Sequence, residues 1–410
     1  MLTRSHIFHR CLLLTCLALL GACSAILRNP VPADVHLQVS VLDRQDLRFW
    51  GDQQDLQKHP AFDESKPDTL EQHFAGVMHT EHHYLAISGG GADGAYGAGV
   101  LVGWSAQGNR PEFTMVTGIS TGALTAPFAF LGPAYDQQLK ALYTTLDSSR
   151  IFSKRSIFAM IRGDSIADST PLSRMLDKHI TDQLIADIAR QYRRGRSLHI
   201  GTTNLDAGRP VIWNIGRIAD SGHPGAPALI RQVLLASASI PGIFPPAYIP
   251  VQGPDGRTYE EMHVDGGTSS QMFLYPSRTN WAELMGLLDV QGTPTAYLIR
   301  NSRFTPEYDP VRARVPDIAT RSVASLIRTQ GIGDAYRIAA ITNRDGVAAE
   351  LTWIPDTAPP NPGDEVFDPV YMSALFDFGY QRAVSGAAWH QIDINRMVMV
   401  KENPRTPNDP

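Results

Sequence analysis

The 410-residue sequence predicts an α/β fold, a three-layer α/β/α sandwich with a mainly parallel central sheet. The first reason is an alternation of strand-like and helix-like segments from residue 83 onward, which favours parallel strands with helices on both faces. The second is that two glycine-rich stretches each follow a strand-like run and lead into a helix-like run. The third is the composition, 43% hydrophobic and 19% charged, which is typical of a globular chain.

The individual segments are placed by hydrophobic periodicity and by residues that start or stop helices. A further helix start is predicted at Ser169-Thr170-Pro171, with a capping hydroxyl and a proline in the first turn. The predicted strands are 83–88, 113–117, 197–204, 211–215, 262–264 and 295–299. The predicted helices are 92–104, 123–131, 315–342 and 369–388.

The first 22 residues predict a secretory signal. Arg4 and Arg10 give a positive start, and residues 11–20 form an apolar stretch too short to span a bilayer. The sequence Leu20-Gly21-Ala22-Cys23 resembles a bacterial lipoprotein box, which implies cleavage before Cys23 and lipidation of its thiol. A plain secretory signal is the alternative. We therefore expect an exported protein of the bacterial cell envelope, lipid-anchored at the periplasmic face of a membrane or at the cell surface.

After the signal, the chain divides into one compact domain and its extensions. Residues 23–81 are interpreted as a spacer and N-terminal extension, 82–280 as the domain itself, 281–400 as helices and strands packed on it, and 401–410 as a disordered tail. The only cysteines are Cys11, Cys16 and Cys23, so the mature domain can have no internal disulfide. A net charge of −5 without any long Lys/Arg block argues against nucleic acid as a partner, and no oligomeric state is indicated.

The most informative motif is Gly118-Ile119-Ser120-Thr121-Gly122, which lies between a strand-like and a helix-like run. A serine at the tip of so tight a turn needs small neighbours, and glycine stands two positions before it and two positions after it. The motif therefore predicts that Ser120 is a nucleophile and that Gly118 and Gly122 form its elbow. The alternative is an ordinary glycine-rich turn with a solvated serine.

A glycine loop, Gly89-Gly90-Gly91-Ala92-Asp93-Gly94, also follows a strand-like run and opens a helix. Its backbone N–H groups can converge on an anion, which predicts an oxyanion hole formed by Gly89, Gly90, Gly91 and Gly94. The loop also matches the pattern of a dinucleotide-binding turn. In that case Glu112 would have to bind the ribose, but it precedes a strand instead of ending one, so we reject a nucleotide.

A third motif, Asp265-Gly266-Gly267, supplies a carboxylate at the end of a short apolar run. Asp265 could take the proton from Ser120 directly, although an Asp-Gly pair is also common in ordinary turns. A triad would instead need His390, the only histidine after Asp265, whose apolar neighbours favour a packed or surface position. His263 is interpreted as structural. No closely spaced His/Cys/Asp/Glu cluster is present, so we expect neither metal nor cofactor.

Together the three motifs, in this order, resemble the signatures of the patatin-like phospholipase family. The stretches 203–208 and 236–246 are similar to it as well, and the resemblance covers residues 83 to 275. It implies a fold related to the α/β hydrolases and a Ser–Asp dyad without histidine. Residues 82–280 would then be the catalytic domain, with Ser120 as nucleophile, Asp265 as base and the glycine loop as oxyanion hole.

The resemblance implies a serine esterase, a phospholipase A-type lipid acyl hydrolase that acts on membrane lipid or another acyl ester. The alternatives are a general esterase or thioesterase, or an inactive lipoprotein that binds lipid or a partner. The family usually has Arg or Lys where this chain has Asp93. A carboxylate about 6 Å from an oxyanion would oppose it by roughly 3 kcal/mol, so Asp93 must point away or be neutralised. Candidates for an acyl channel, or equally for the core, are Phe128, Phe130, Ile240, Ile243 and Phe244.

Overall fold

The computed structural model describes residues 28–52, 72–145, 153–154, 167–277, 279–306, 308, 310–362 and 367–392. The predicted signal peptide, the lipidation residue Cys23 and the predicted tail 401–410 lie outside these ranges. Within them, no helix is both long enough and apolar enough to cross a bilayer.

Most of the described strands belong to one mixed sheet of ten strands. In chain order the strands are β1 Arg48–Trp50, β2 Glu81–Ile87, β3 Met115–Ile119, β4 Ser153–Lys154, β5 Ala167–Asp168, β6 Ser197–Asn204, β7 Arg209–Asn214, β8 Ala247–Gln252, β9 Thr258–Asp265, β10 Gln291–Arg300, β11 Ala348–Trp353 and β12 His390–Gln391. Only β4 and β5 stand apart from the sheet, as a separate antiparallel pair.

The centre of the sheet is parallel, as predicted. The strand order is β1-β7-β6-β3-β2-β10-β11-β12, and the five neighbours from β6 to β11 run parallel to one another. Strand β9 pairs antiparallel with the end of β6 and with β8. The carboxyl ends of the parallel strands meet at one edge, where ligands of α/β sheets bind.

The described helices are α1 Gly94–Gln107, α2 Thr121–Leu131, α3 Asp136–Thr144, α4 Thr170–His179, α5 Asp182–Arg193, α6 Ile215–Ala219, α7 Ala226–Ser237, α8 Trp281–Leu287, α9 Val315–Arg344 and α10 Pro369–Val384. Short 3₁₀ turns precede α1 and α3 and follow β9.

Alternating residues of β2 show why the sheet has helices on both faces. Leu85 and Ile87 belong to one hydrophobic cluster, whereas Tyr84 and Ala86 belong to a second. Successive side chains of a strand point to opposite faces, so the two clusters lie on opposite sides of the sheet. The first cluster contains residues of α1, α2, α5, α7 and α10, and the second contains residues of α8 and α9. The predicted three-layer α/β/α class is confirmed.

Several elements differ from the sequence expectation. The sequence patterns missed the strands β1, β4, β5, β8, β11 and β12 and the helices α3, α5, α6, α7 and α8. The helix near residue 170 begins as predicted, but Ser169 makes no side-chain cap; the carboxylate of Asp168 accepts from the Thr170 N–H at 2.9 Å instead. A carboxylate is as good a cap acceptor as a hydroxyl, and the sequence analysis had considered only the hydroxyl.

Segments on both sides of the predicted catalytic domain contribute to its sheet. Strand β1, from the N-terminal extension, pairs with β7, and β10, from the C-terminal extension, lies between β2 and β11. The domain boundaries at residues 82 and 280 stay predictions.

Candidate active site

Ser120 occupies the tight turn between β3 and α2. Its backbone has φ 56° and ψ −125°, a conformation that costs a non-glycine residue free energy and is concentrated at functional sites. A Cβ on Gly118 would overlap the carbonyl oxygen of Gly122, and a Cβ on Gly122 would overlap that of Ile87. Glycine is therefore required on both sides of the serine for steric reasons.

Strand β6 brings Ser120 and Asp265 together. Along one edge of β6, Gly201 pairs with Ile119 of β3, and the next residue, Thr202, pairs with Asp265 of β9. Strands β3 and β9 thus meet end to end on the same edge. The side chains at their ends interact, although 145 positions separate them in the sequence.

Asp265 is buried, with 5% of its surface exposed. Its Oδ1 accepts the Gly267 N–H at 2.7 Å, while Oδ2 is enclosed and has no partner with full hydrogen-bond geometry. Burial raises the pKa of the Asp265 carboxyl to about 7, although hydrogen bonds from the Ser120 hydroxyl and the Gly267 N–H oppose the shift. A weak interaction between the Ser120 hydroxyl and the Asp265 carboxyl is usual for a site without substrate.

Close packing also requires glycine at the two positions after Asp265. A Cβ on Gly266 would overlap the carbonyl oxygen of Gly201 in β6, and a Cβ on Gly267 would lie 2.5 Å from Nε2 of Gln271. Glycine at both positions lets the turn after β9 lie against β6. This turn supplies the N–H that fixes the carboxylate.

The glycine loop lies directly beside Ser120, but its glycines have different roles. The Gly89 N–H donates to the carbonyl of Gln271 at 3.1 Å, so Gly89 supplies close packing against Ser120 and not a donor. Among the described residues, the N–H groups of Gly90 and Gly91 have no acceptor. Gly94 packs so tightly on Thr121 that a Cβ would overlap its side chain. The Gly94 N–H donates to the carbonyls of Ala92 and Gly91, so of the four glycines predicted to form the oxyanion hole only Gly90 and Gly91 have N–H groups without an acceptor among the described residues.

Asn301 braces this loop, and the sequence patterns did not indicate it. Its side chain is buried at the end of β10, donates to the carbonyl of Ser88 at 3.0 Å and accepts the Gly97 N–H at 3.1 Å. Its own N–H donates to Oγ of Ser88 at 2.8 Å. A Cβ on Gly90 would overlap the Asn301 carbonyl oxygen. Asn301 therefore links the strand before the loop to the helix after it.

Ser237 is a second supporting residue that sequence reasoning missed. Its Oγ accepts the N–H of Ser120 at 3.0 Å and donates to the carbonyl of Gly201 at 2.7 Å. This bond gives the N–H of the strained residue a partner, and it ties the turn to β6. Ser237 ends α7, inside the stretch 236–246 that carried part of the family resemblance.

The carboxylate of Asp93 has a hydrogen-bond donor in the structure. Tyr371 of α10 donates its hydroxyl proton to Oδ1 of Asp93 at 2.6 Å. A bond of this kind holds the carboxylate in one direction and stabilises its charge. The departure from the family pattern at Asp93 is thus matched by a tyrosine more than 270 positions later in the chain.

Neither candidate histidine reaches the serine in the way a triad requires. His390 lies in β12 at the far edge of the sheet, where its Nε2 is 3.2 Å from Arg382. His263 is fully buried and interacts with Thr202 and Glu261, as the structural interpretation expected. Among the described residues, no three His, Cys, Asp or Glu side chains cluster as metal ligands.

A small apolar hollow of about 40 Å³ opens beside Ser120. Of the candidate channel residues, Ile240 and Phe244 line it, whereas Phe128 and Phe130 are buried in the core. Ile243 is half-buried against the same core. The remaining lining includes Leu124, Leu142, Leu172, Met175 and Met372.

A larger cavity, of about 520 Å³, lies on the opposite face of the sheet. Ile119 and Gly266 line it, whereas Ser120 lines the smaller hollow and Asp265 lines neither of the two.

The geometry agrees with a comparison to known families. The model of the patatin-like phospholipase family matches residues 85–276. Residues 85–276 form a patatin-like phospholipase domain. The domain contains Ser120, Asp265 and the glycine loop, whereas Asn301 and Tyr371 lie beyond it.

One curated relative of the patatin-like domain is the cGAMP-activated phospholipase of Pseudomonas aeruginosa (strain BWHPSA011 / Pa011). It is 26% identical over 205 residues, which are 48% of this chain and 57% of that protein. The chain thus spans little more than half the length of this relative. The crystal structure of VipD from Legionella pneumophila is similar with a TM-score of 0.35 and 13% identity, over 76% of this chain and 68% of VipD.

Replacing Asn301 tests its role in positioning the glycine loop. We expect Asn301→Ala to lower kcat for a soluble short-chain ester by about tenfold or more, with KM within about twofold, because misplaced oxyanion donors weaken mainly the transition state. Steady-state kinetics on folded protein measures this. The control is Thr342→Val, which removes a buried hydroxyl bonded only within α9 and should leave kcat unchanged. Equal loss in both variants, or a rise in KM alone, would show that Asn301 is only a packing residue.

Proposed function

We propose that the protein is a lipid acyl hydrolase that cleaves fatty-acyl esters with a Ser120–Asp265 dyad. The observation that carries this proposal is the meeting of a strained serine with a buried carboxylate whose pKa is raised to about 7. An aspartate with its ordinary pKa is a weak base, whereas one near 7 is matched to neutral pH. The family match supports the same reaction class, and so do the N–H groups of Gly90 and Gly91, which have no acceptor in the part of the chain that the structure describes.

In the acylation step, Oγ of Ser120 attacks the ester carbonyl carbon and its proton passes to Oδ2 of Asp265. Oδ1 stays on the Gly267 N–H, which leaves Oδ2 as the oxygen without a partner that can accept the proton. The carbonyl oxygen becomes an oxyanion beside Gly90 and Gly91. When the tetrahedral intermediate collapses, the C–O bond to the alcohol breaks and Asp265 returns the proton to that alcohol.

The acyl-enzyme is then hydrolysed, and Asp265 again accepts and returns a proton. A water molecule attacks the Ser120 ester, Asp265 accepts a proton from that water, and the proton returns to Oγ as the fatty acid leaves. Stabilisation of the oxyanion supplies the larger part of catalysis in such sites, since loss of one donor costs roughly 3 to 4 kcal/mol. The apolar hollow beside Ser120 would receive the first carbons of the acyl chain.

Two alternatives share parts of this site. A general esterase or thioesterase would use the same dyad, and substrate profiling separates it from a phospholipase. An inactive lipid-binding or partner-binding protein would not require a strained serine with a buried acid beside it, because strain at a residue costs free energy that binding alone does not need.

A fluorophosphonate probe combined with product analysis tests the dyad. We expect labelling of the wild-type protein and release of free fatty acid from mixed phospholipids, with both lost in Ser120→Ala and reduced by at least about 100-fold in Asp265→Asn. His390→Ala is the matched control and should keep both activities, because His390 lies at the far edge of the sheet. Equal fatty-acid release by wild type and Ser120→Ala would refute the proposed function.

We also propose that lipidation of Cys23 tethers the mature protein to a membrane of the bacterial cell envelope. The support is the sequence Leu20-Gly21-Ala22-Cys23 at the end of a short apolar stretch. Cells fed an alkyne-labelled fatty acid should incorporate it into the wild-type protein and not into Cys23→Ser. Incorporation that persists in the variant, or fails in the wild type, would exclude this anchor.

A further inference from the structure

Helix α9 has two halves with different surroundings. Its C-terminal half is buried against the sheet through Ala335, Ile338 and Ala339. Its N-terminal half, residues 315–329, is largely exposed over its described side chains. Because a 30-residue helix is about 45 Å long, the exposed half extends roughly 20 Å beyond its packed part.

The exposed half carries an apolar stripe, which we call the α9 apolar face: Val315, Ile318, Val323 and Leu326. These side chains are 81%, 50%, 53% and 70% exposed. Their positions, i, i+3, i+8 and i+11, place them on one side of a helix with 3.6 residues per turn. Single exposed apolar residues are ordinary, but a continuous stripe of them marks a contact surface.

Charged residues lie on the side opposite to the α9 apolar face and in the segment that precedes it. Arg321 and Arg328 share the opposite side with Asp317, while Arg312 and Arg314 are exposed just before the helix. Residues 311–329 contain these four arginines and one acid, Asp317, so this range is positively charged, although the whole chain has a net charge of −5. An apolar stripe backed by arginines is the pattern of a helix that lies in the interface of a lipid bilayer.

This region lies at the same edge of the sheet as Ser120. The chain enters it from the carboxyl end of β10, a parallel neighbour of β2 in the sheet that carries the glycine loop and Ser120 at its carboxyl edge. Further along α9, Gln330 donates to the carbonyl of Ser269 at 2.6 Å, and Asp334 accepts the N–H of Gln271 at 2.6 Å. Helix α9 is therefore fixed to the loop that follows Asp265, and its exposed half extends from there.

We propose that the N-terminal half of α9 is a docking surface for a lipid bilayer that carries anionic headgroups. The α9 apolar face would enter the headgroup region, and the exposed Arg312 and Arg314 would contact lipid phosphates. The proposal rests on the proposed function, because a lipid acyl hydrolase needs its substrate surface near the dyad. A second copy of the chain fits the surface less well, since the two sets of arginines would repel each other.

Binding to vesicles tests the proposal without relying on catalysis. The full chain with Cys23→Ser, which removes the expected acyl anchor, is mixed with vesicles of phosphatidylcholine with or without phosphatidylglycerol and sedimented. We expect binding that increases with phosphatidylglycerol, and about tenfold weaker partition for Ile318→Ser/Val323→Ser/Leu326→Ser, because partition scales with the buried apolar area. Arg312→Gln/Arg314→Gln should reduce mainly the dependence on phosphatidylglycerol.

The matched control is Leu37→Ser/Leu287→Ser/Val370→Ser, which removes three equally exposed apolar side chains elsewhere on the surface. It should bind vesicles as strongly as the parent protein. All variants should hydrolyse a soluble short-chain ester at the parent rate. A parent protein without any esterase activity would refute the proposed function, and the vesicle-binding result could still be interpreted by itself. Equal vesicle binding by the parent protein and by Ile318→Ser/Val323→Ser/Leu326→Ser would overturn the proposed docking surface. The docking surface is also overturned if light scattering shows that the parent is a dimer, that Ile318→Ser/Val323→Ser/Leu326→Ser is a monomer, and that the parent does not bind vesicles.

Discussion

A single register along β6 brings the proposed nucleophile, Ser120, to the proposed base, Asp265. The strand offers one edge to β3 up to Gly201 and then, from Thr202 onward, to β9. Because the pairing partner of β6 changes between adjacent residues, the turn after β3 meets the end of β9. Ser120 in that turn contacts Asp265 at the end of β9. A shift of one residue in either pairing would turn the side chain of Ser120 or Asp265 to the opposite face.

The same arrangement raises the pKa of the Asp265 carboxyl. Asp265 is enclosed by the sheet, and a buried charge is costly, so its pKa is raised far above that of an exposed aspartate. In the proposed mechanism, the chain therefore keeps a residue that lowers its stability at neutral pH because that residue is a base matched to that pH. The strained backbone of Ser120 is a second cost of this kind, and the N–H of that residue is held by Ser237.

Local rules explain what the sequence predicted and what it did not. The turn at Ser120 and the fold class follow from patterns within a few residues, so both could be predicted from the sequence. Asn301 reaches the glycine loop from more than 200 positions away, and β1 is only three residues long, so neither leaves a periodic signal. The apolar stripe of α9 changes side between its exposed and buried halves, and only the fold shows where that change occurs.

The most direct test of the account is the free energy of unfolding of the wild type and Asp265→Asn as a function of pH. The folded pKa of Asp265 is about 7 and its ordinary value is 3.8. Since the folded value is higher, the wild type should lose stability as pH rises through this window, while Asp265→Asn should not. We predict that the variant gains relative stability, on the order of several kcal/mol, between about pH 4 and pH 8. A difference between the two proteins that stays constant over this range would contradict a buried, proton-accepting Asp265 beside Ser120.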